Sequence, residues 1–344
     1  MPRKSGRTTV YSLGAELGVS VATISKALRG SPEISVELRK KVRDLAARRN
    51  FKPRVVSRKV PNICVLVQQY PGHTLDFGLF LSTVMEGVAQ YVQEEGLEMS
   101  IYADTIDRLN ACDIVRELRR RSIDGAVILR SNDESHYFAR LDAEGFPHCA
   151  LLSTAPAHRD NVITVNNDEV GYRATRHLLD KGHREIGVLV SPPAGVSGQS
   201  RLAGYRRALA EAGIPFQERL VAHEGADKTG LQFGSDAIRN LVRENLRMTG
   251  VFVMDHPVVV GLLHGVSRLG LHVPRDLSVI SCDDYPETSF LQPPVTAIDI
   301  PNRTLGYEAA RQVYRLIRGL DPLPLDTRID LNGRLVERES TRAL

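Results

Sequence analysis

The 344-residue sequence predicts an all-α head followed by an α/β body of two doubly wound parallel-sheet lobes. Three observations lead to this fold class. From Ile63 onward, short apolar runs alternate with helical patterns in two series, as in parallel sheets covered by helices on both faces. Three short helical patterns precede them. The charge also divides: residues 1–60 contain 15 Lys or Arg and four acids, a net charge of +11, whereas the remainder carries −7.

The head consists of three short amphipathic helices, each preceded by a residue that can cap it. They are predicted over Val10–Leu17 after Thr9, Val21–Arg29 after Ser20, and Val36–Arg49 after Ser35. Gly18 permits the chain to reverse between the first two helices, and Val19 fills the small core. Two helices joined by such a tight turn form a helix-turn-helix, whose second helix fits the major groove of DNA.

The concentration of basic charge in the head indicates a polyanionic partner. A solvated basic face without a partner is the alternative on charge alone. The helix-turn-helix pattern together with the charge of +11 favours double-stranded DNA.

Composition and motifs exclude other classes of protein. No apolar run reaches the roughly 18 residues of a membrane span, and residues 1–7 lead into no secretory signal, so we expect a cytoplasmic protein without a membrane partner. The four cysteines are scattered and form neither a metal motif nor a disulfide framework. Phosphate-binding, hydrolase, zinc-protease and dinucleotide motifs are missing. We therefore predict no enzyme activity, catalytic residue, metal or cofactor.

The body elements follow from the alternation of short apolar runs and helical patterns. Predicted strands are Ile63–Val67, Met99–Tyr102, Ala126–Leu129, Ile186–Val190, Val251–Met254 and Leu277–Ser281. Predicted helices are Leu81–Glu95, Ala111–Arg121, His136–Ala143, Arg201–Ala212, Leu231–Asn245, Val258–Leu269 and, near the end, Leu305–Ile317. In such sheets, ligands bind beyond the carboxyl ends of the strands.

The head sequence "TTVYSLGAELGVSVATISKALRGSPEISVELRKKVRDLAARRNFKP" resembles the DNA-binding domain of the lactose/galactose repressor (LacI/GalR) family. The resemblance continues through "RSIDGAVIL", "HLLDKGHREIGVL", "RLAGYRRALAEAGI" and "DLSVISCDDYPETSFLQPPVTAI" to "VERESTRAL". It covers nearly the whole chain and implies a periplasmic-binding-protein-like body with a small effector between its lobes. It also implies discontinuous domains: a head over 1–60, a first lobe over 61–162 and 293–322, and a second lobe over 163–292 and 323–344.

The resemblance places Val21 and Ala22 at base edges, with Lys26 one turn further on. Apolar side chains offer contact to a thymine methyl group, and Lys26 can reach a guanine or a phosphate. Phosphate contacts and helix caps suit the hydroxyl residues better than base contacts do. These residues are Thr9, Ser20, Thr23, Ser25 and Ser35. Packing of Val21 against the third helix is the structural alternative.

The hinge departs from the family pattern. The segment "RVVSRKVPNI" is short and places Val60 at the position of the usual leucine wedge, with Pro61 directly after it. Proline cannot continue a helix, and valine is a small wedge for the minor groove. We expect Arg54 and Arg58 to contact backbone phosphates instead.

Arg201, Asp255 and Asp283 match effector-binding positions of the family. An arginine with two carboxylates suits a polyhydroxylated, sugar-like ligand, because arginine donates in a fork and each carboxylate accepts from paired hydroxyls. Asp255 replaces a more usual Asn or Ser, which disfavours an anionic group nearby. Phe80 is a candidate for stacking on the ligand or for the core. His183, in a helix-to-strand turn, is interpreted as structural. Capping of the following turn is the structural alternative for Asp283 and Asp284.

The sequence thus predicts a sequence-specific transcription regulator, in the form of a repressor controlled by a small molecule. Two heads are needed for tight binding, so a homodimer on a pseudo-palindromic operator is expected. The chain lacks the leucine-heptad tail of tetrameric relatives. A sugar-binding solute protein is the main alternative, but the basic head and the lack of an export signal disfavour it.

Overall fold

The computed structural model describes residues 10–28, 34–49, 60–69, 78–129, 135–152, 161–191, 196–225, 230–244, 247–320 and 333–344. The chain divides into two compact units, Met1–Val60 and Pro61–Leu344. The boundary between the units falls at the predicted end of the head.

The described part of the head contains α1 (Val10–Leu17), α2 (Val21–Leu28) and α3 (Val36–Arg48). These bounds lie within one residue of the predicted ones. The apolar faces of the three helices form one buried core, made of Leu13, Ile24, Ala27, Val42, Leu45 and Ala46. Val19 and Leu38 pack against this core, as their positions in the sequence indicate.

The turn between α1 and α2 has the geometry that its residues predict. Gly18 has a φ of 65°, in the left-handed region that favours glycine. The Val19 amide donates to the Gly14 carbonyl at 3.0 Å, which closes the turn. The Ser20 hydroxyl accepts the Thr23 amide proton at 3.1 Å and so caps α2. The proposed cap of α1, Thr9, lies outside the described residues.

The first lobe contains a five-stranded sheet in the order β2-β1-β3-β4-β5, and all its neighbouring strands are parallel. Its strands are β1 (Asn62–Gln69), β2 (Glu98–Thr105), β3 (Gly125–Leu129), β4 (His148–Leu151) and β5 (Val162–Ile163). Its helices are α4 (Leu79–Glu94), α5 (Ile106–Ala111), α6 (Ile114–Arg120) and α7 (Phe138–Ala143). The prediction of one helix over Ala111–Arg121 is wrong, because Asp113 caps a new helix by accepting the Arg116 amide proton at 3.0 Å.

The second lobe contains a six-stranded sheet in the order β11-β10-β9-β8-β6-β7. Its strands are β6 (Ile186–Val190), β7 (Val221–His223), β8 (Gly250–Val253), β9 (Ser278–Cys282), β10 (Thr296–Asp299) and β11 (Arg334–Val336). The helices of the remaining chain are α8 (Asn167–Asp180), α9 (Val196–Glu211), α10 (Gly230–Glu244), α11 (His256–Arg268) and α12 (Asn302–Ile317). Among the described strands of this sheet, β11 runs antiparallel to its neighbour and the others run parallel.

The return of the chain to the first lobe occurs later than the sequence indicated. Thr296–Asp299 pairs in parallel with β9 and therefore belongs to the second sheet. The predicted boundary at residue 293 is wrong for this reason, and the chain leaves the second sheet only after Asp299. The following helix α12 packs against α4 of the first lobe, as the first-lobe assignment of this region predicts. The last crossing, near 321–324, lies outside the described residues.

Two glycines bring α8 and α9 unusually close together. A Cβ atom on Gly171 would lie 1.9 Å from the carbonyl oxygen of Arg201, and one on Gly204 would lie 1.9 Å from that of Asp168. Any larger residue would push the two backbones apart, so these glycines determine where the backbone of Arg201 lies.

Candidate functional site

The start of α2 carries the residues proposed to read DNA. Val21 is half-buried and lies outside the head core, whereas Lys26 is exposed. The hydroxyls of Ser20 and Thr23 lie 2.8 Å apart, which engages both in the cap of α2. The side chains of Ala22 and Ser25 fall outside the described part of the structure.

Of the remaining DNA-binding candidates, Ser35 lies within the described part of the structure and the others lie outside it. Ser35 caps α3 by accepting the Leu38 amide proton at 3.3 Å. Thr9, Arg54 and Arg58 lie outside the described residues, as does the proposed hinge up to Val60. Val60 itself is 40% exposed, so no core residue covers the proposed wedge position within the described chain.

Arg201 is held in the second lobe by two hydrogen bonds. Its Nε donates to Asn167 Oδ1 at 2.9 Å, and its Nη1 donates to the Met254 carbonyl at 2.6 Å. The side chain is 9% exposed. The sequence placed Arg201 at the start of a helix, but α9 begins at Val196, so this placement is wrong and Arg201 lies in the second turn.

Asp255 follows β8 at its carboxyl end and begins the turn into α11. Its Oδ1 accepts the amide proton of His256 at 2.9 Å. Burial, followed by the negative charge of Asp283, raises the pKa of Asp255 to about 7. Arg201 opposes this shift, which places its guanidinium within electrostatic range of the carboxylate.

Asp283 follows β9 at the same edge of the sheet and is 6% exposed. Its φ of 64° lies in the left-handed region, which a residue with a side chain rarely adopts. Such strain is retained where the surrounding structure requires one side-chain direction. The Asp283 Oδ1 accepts from Asn302 Nδ2 at 2.9 Å, and burial raises the pKa of this carboxyl while the charge of Arg201 lowers it.

The structure therefore brings together Arg201, Asp255 and Asp283 at the carboxyl edge of the second sheet. Parallel strands end at one edge, so the turns after β8 and β9 become neighbours although they are far apart in sequence. One cation and two carboxylates in a buried, polar cluster can bind a ligand through several directed hydrogen bonds.

Sequence reasoning missed three polar residues of this cluster, Asn167, His256 and Asn302. All three are at least nine-tenths buried. Asn167 and Asn302 begin α8 and α12 shortly after β5 and β10, and polar residues just beyond strand ends were the signal that could have found them. His256 is the first residue of α11, and its ring lies edge-on to Tyr285 with centroids 5.3 Å apart.

Three other candidates lie elsewhere. Phe80 is half-buried on α4 and packs against the body core, and no described contact joins it to the Arg201 cluster. His183 is fully buried between the Thr249 hydroxyl, 2.9 Å from Nδ1, and the Arg342 carbonyl, 3.1 Å from Nε2, which suits the structural role expected of it. Asp284 forms an ion pair with Arg338 at 2.7 Å, and not the turn cap that was its structural alternative.

Metal chemistry finds no support in the described part of the chain. No group of three or more His, Cys, Asp or Glu side chains there could hold a metal ion. Burial raises the pKa of Cys282 to about 12, so this thiol beside the cluster stays protonated at neutral pH. None of the described helices has both the length and the apolar character of a membrane span.

A helix-turn-helix head followed by a two-sheet body with a buried polar cluster at one sheet edge is typical of an effector-controlled transcription regulator. A sequence profile described as "Periplasmic binding protein-like domain" matches residues 175–341. The chain is 26% identical to the HTH-type transcriptional repressor PurR of Vibrio cholerae, over 98% of both chains. It is 29% identical to the ribose operon repressor of Haemophilus influenzae, over 87% of this chain and 89% of the relative.

A comparison with solved structures also finds similarity to a transcription regulator. The structure of the transcriptional regulator CelR in complex with cellobiose has a TM-score of 0.71 and 26% sequence identity to this chain. The similarity covers 97% of this chain and all of that one. Over nearly its whole length the chain is similar to transcription regulators of the LacI family.

Proposed function

We propose that this chain represses transcription by binding a pseudo-palindromic operator as a homodimer, under the control of a sugar or sugar derivative bound at Arg201, Asp255 and Asp283. The observation that carries this proposal is the meeting of these three side chains at one sheet edge, in a chain with a helix-turn-helix head.

The head supplies the contacts to DNA. The first turn of α2 presents Val21 to base edges, and the exposed ammonium group of Lys26 reaches a guanine or a phosphate. Most of the affinity comes from the general positive charge of residues 1–60, because neutralising phosphates releases counterions. Thr9 is assigned to a phosphate through its hydroxyl group, and Arg54 and Arg58 are assigned to phosphates in place of a wedging hinge helix.

The body supplies the effector site. Arg201 donates to ligand oxygens, and the two carboxylates accept from ligand hydroxyl groups. A relative bound to cellobiose and a relative named for the ribose operon support a sugar-like ligand. Control requires that the effector bind the DNA-competent and DNA-incompetent states unequally.

We infer that the protein has no catalytic role and works in the cytoplasm, where an operator is accessible. The adjacent acids Asp283 and Asp284 are separately engaged, by Asn302 and by Arg338 respectively. They therefore do not form the facing carboxylate pair that hydrolysis requires. A solute-binding protein would have no use for a head of charge +11.

The test of DNA recognition begins with selection of binding sites from a random duplex library by the full-length protein. Lys26→Ala should weaken binding to the selected site more than binding to random duplex. Lys41→Ala is the matched control, because Lys41 is also an exposed lysine of the head but lies on α3, where it pairs with Glu37 at 2.9 Å. Failure of the wild type to select any sequence would refute the function.

A further inference from the structure

The Arg201 cluster contains more negative than positive charge. Asp255 and Asp283 share one guanidinium, and Glu224 adds a third carboxylate that also acts on Asp255. Glu224 is committed to the protein, since it accepts the Gly230 amide proton at 2.6 Å and the hydroxyl proton of Ser191. The two aspartates are therefore the carboxylates of the cluster that remain for a ligand.

Arg201 does not neutralise these aspartates by direct pairing. Its Nε and Nη1 donate to Asn167 and to the Met254 carbonyl, and no ion pair joins it to either aspartate among the described residues. Each aspartate accepts one hydrogen bond from the protein through its Oδ1, from the His256 amide or from Asn302. Acceptor capacity thus remains on both carboxylates.

His256 is a second observation that points to a ligand. The side chain is 6% exposed, and its Nε2 is buried with no hydrogen-bond partner in the described structure. Burial lowers the pKa of His256, so the ring is neutral at physiological pH. Tyr285 packs against this ring, and its hydroxyl accepts from Asn302, the residue that also holds Asp283. A buried polar nitrogen in such a network requires a partner, which a ligand hydroxyl supplies.

We propose that the effector is an amino sugar or amino polyol, whose protonated amine binds between Asp255 and Asp283 while its hydroxyl groups contact Arg201 and His256. This inference rests on the function proposed above, because it concerns the same site. The ammonium group donates up to three hydrogen bonds and offsets the surplus negative charge. A neutral sugar satisfies the acceptors without offsetting the charge, and a sugar acid adds a further negative charge to those of the carboxylates.

The experiment is isothermal titration calorimetry of the full-length protein with matched sets of probes. Each set shares one carbon skeleton: glucamine, sorbitol and gluconate; glucosamine, glucose and glucuronate; galactosamine, galactose and galacturonate. In at least one set the amine should bind more than about 10-fold tighter than the neutral member, and the acid weakest. The proposal would be overturned if in every set a neutral or acidic member bound as tightly as its amine, or if no amine bound at all.

A variant of Asp255 tests whether the preference for an amine arises at this carboxylate. Asp255→Asn keeps the shape of the side chain and removes its charge, so the preference for the amine should fall to within about 3-fold of the neutral member. Asp180→Asn is the control, because Asp180 is an exposed residue of α8 paired with Arg176. An unchanged preference in Asp255→Asn would show that the amine binds elsewhere and would overturn the proposal.

Operator binding separates this inference from the proposed function. If a neutral sugar changes operator affinity and the protein shows no preference for amines, the proposed effector control stands and the proposed amine ligand is wrong. If an amine binds as expected but leaves operator affinity unchanged, the proposed ligand class stands and the proposed effector control is wrong.

Discussion

Gly171→Ala should displace Arg201 of the proposed effector site, because Gly171 on α8 packs directly against the backbone of Arg201 on α9. A Cβ atom at this position would lie 1.9 Å from the Arg201 carbonyl oxygen, whereas real Cβ contacts are essentially never closer than 3.0 Å. The helices α8 and α9 must therefore separate locally by about 1 Å, the difference between these distances. Overpacking costs about 1–3 kcal/mol, and the better helix propensity of alanine returns about 1 kcal/mol. We expect a net loss of up to about 2 kcal/mol in the free energy of unfolding.

The same displacement should weaken effector binding. Arg201 is held by hydrogen bonds of 2.9 Å to Asn167 and 2.6 Å to Met254, and a shift of its backbone misaligns both. A hydrogen bond that involves a charged group contributes about 1.5–3 kcal/mol. If the displaced Arg201 loses one such bond to the effector, the affinity for the effector should fall by roughly 10- to 150-fold.

Gly306→Ala provides the matched control in the first lobe. A Cβ atom there would lie 1.9 Å from the Val84 carbonyl oxygen, the same clash between α12 and α4. Urea denaturation should show a similar loss of stability in both variants, and calorimetry with the tightest-binding probe should show weaker binding only in Gly171→Ala. Equal affinity loss in both variants, or wild-type affinity in Gly171→Ala, would contradict the role of this close approach in positioning Arg201.

Three further predictions follow from single contacts. Ser20→Ala removes the cap that accepts the Thr23 amide proton, so the head should lose about 1 kcal/mol of stability in urea denaturation. Burial lowers the pKa of His183 from its ordinary 6.5, so the unfolded chain binds more protons as the pH falls. The free energy of unfolding should therefore decrease below about pH 6.5, and less steeply in His183→Gln, as urea titrations at several pH values would show. Arg201→Ala should keep operator affinity near that of the wild type but abolish its response to the effector, as measured by operator titration with and without the tightest-binding probe; a retained response would refute the assignment.

The sequence by itself determined the features that depend on near neighbours. The helices of the head were predictable because each boundary depends on a cap or a glycine within a few residues, as Ser20 and Gly18 illustrate. Six of the eleven described strands, and most helices of the body, were predictable for the same reason, since apolar periodicity is local. The strands β4, β5, β7, β10 and β11 have two to four residues each, too few for such a pattern, and were not predicted. The split at Asp113 shows the limit of periodicity, because a cap within an apolar pattern divides one helix into two.

Only the tertiary structure decided what distant segments do together. The strand Thr296–Asp299 belongs to the second sheet because it pairs with β9, and no local pattern encodes that partner. The same applies to the site, where Asn167 and Asn302 meet Arg201 and Asp283 through the order of strands in the sheet. A ligand site at a sheet edge needs several buried polar groups close together. These groups come from different segments, so their proximity depends on how the whole chain packs and not on the sequence of any one segment.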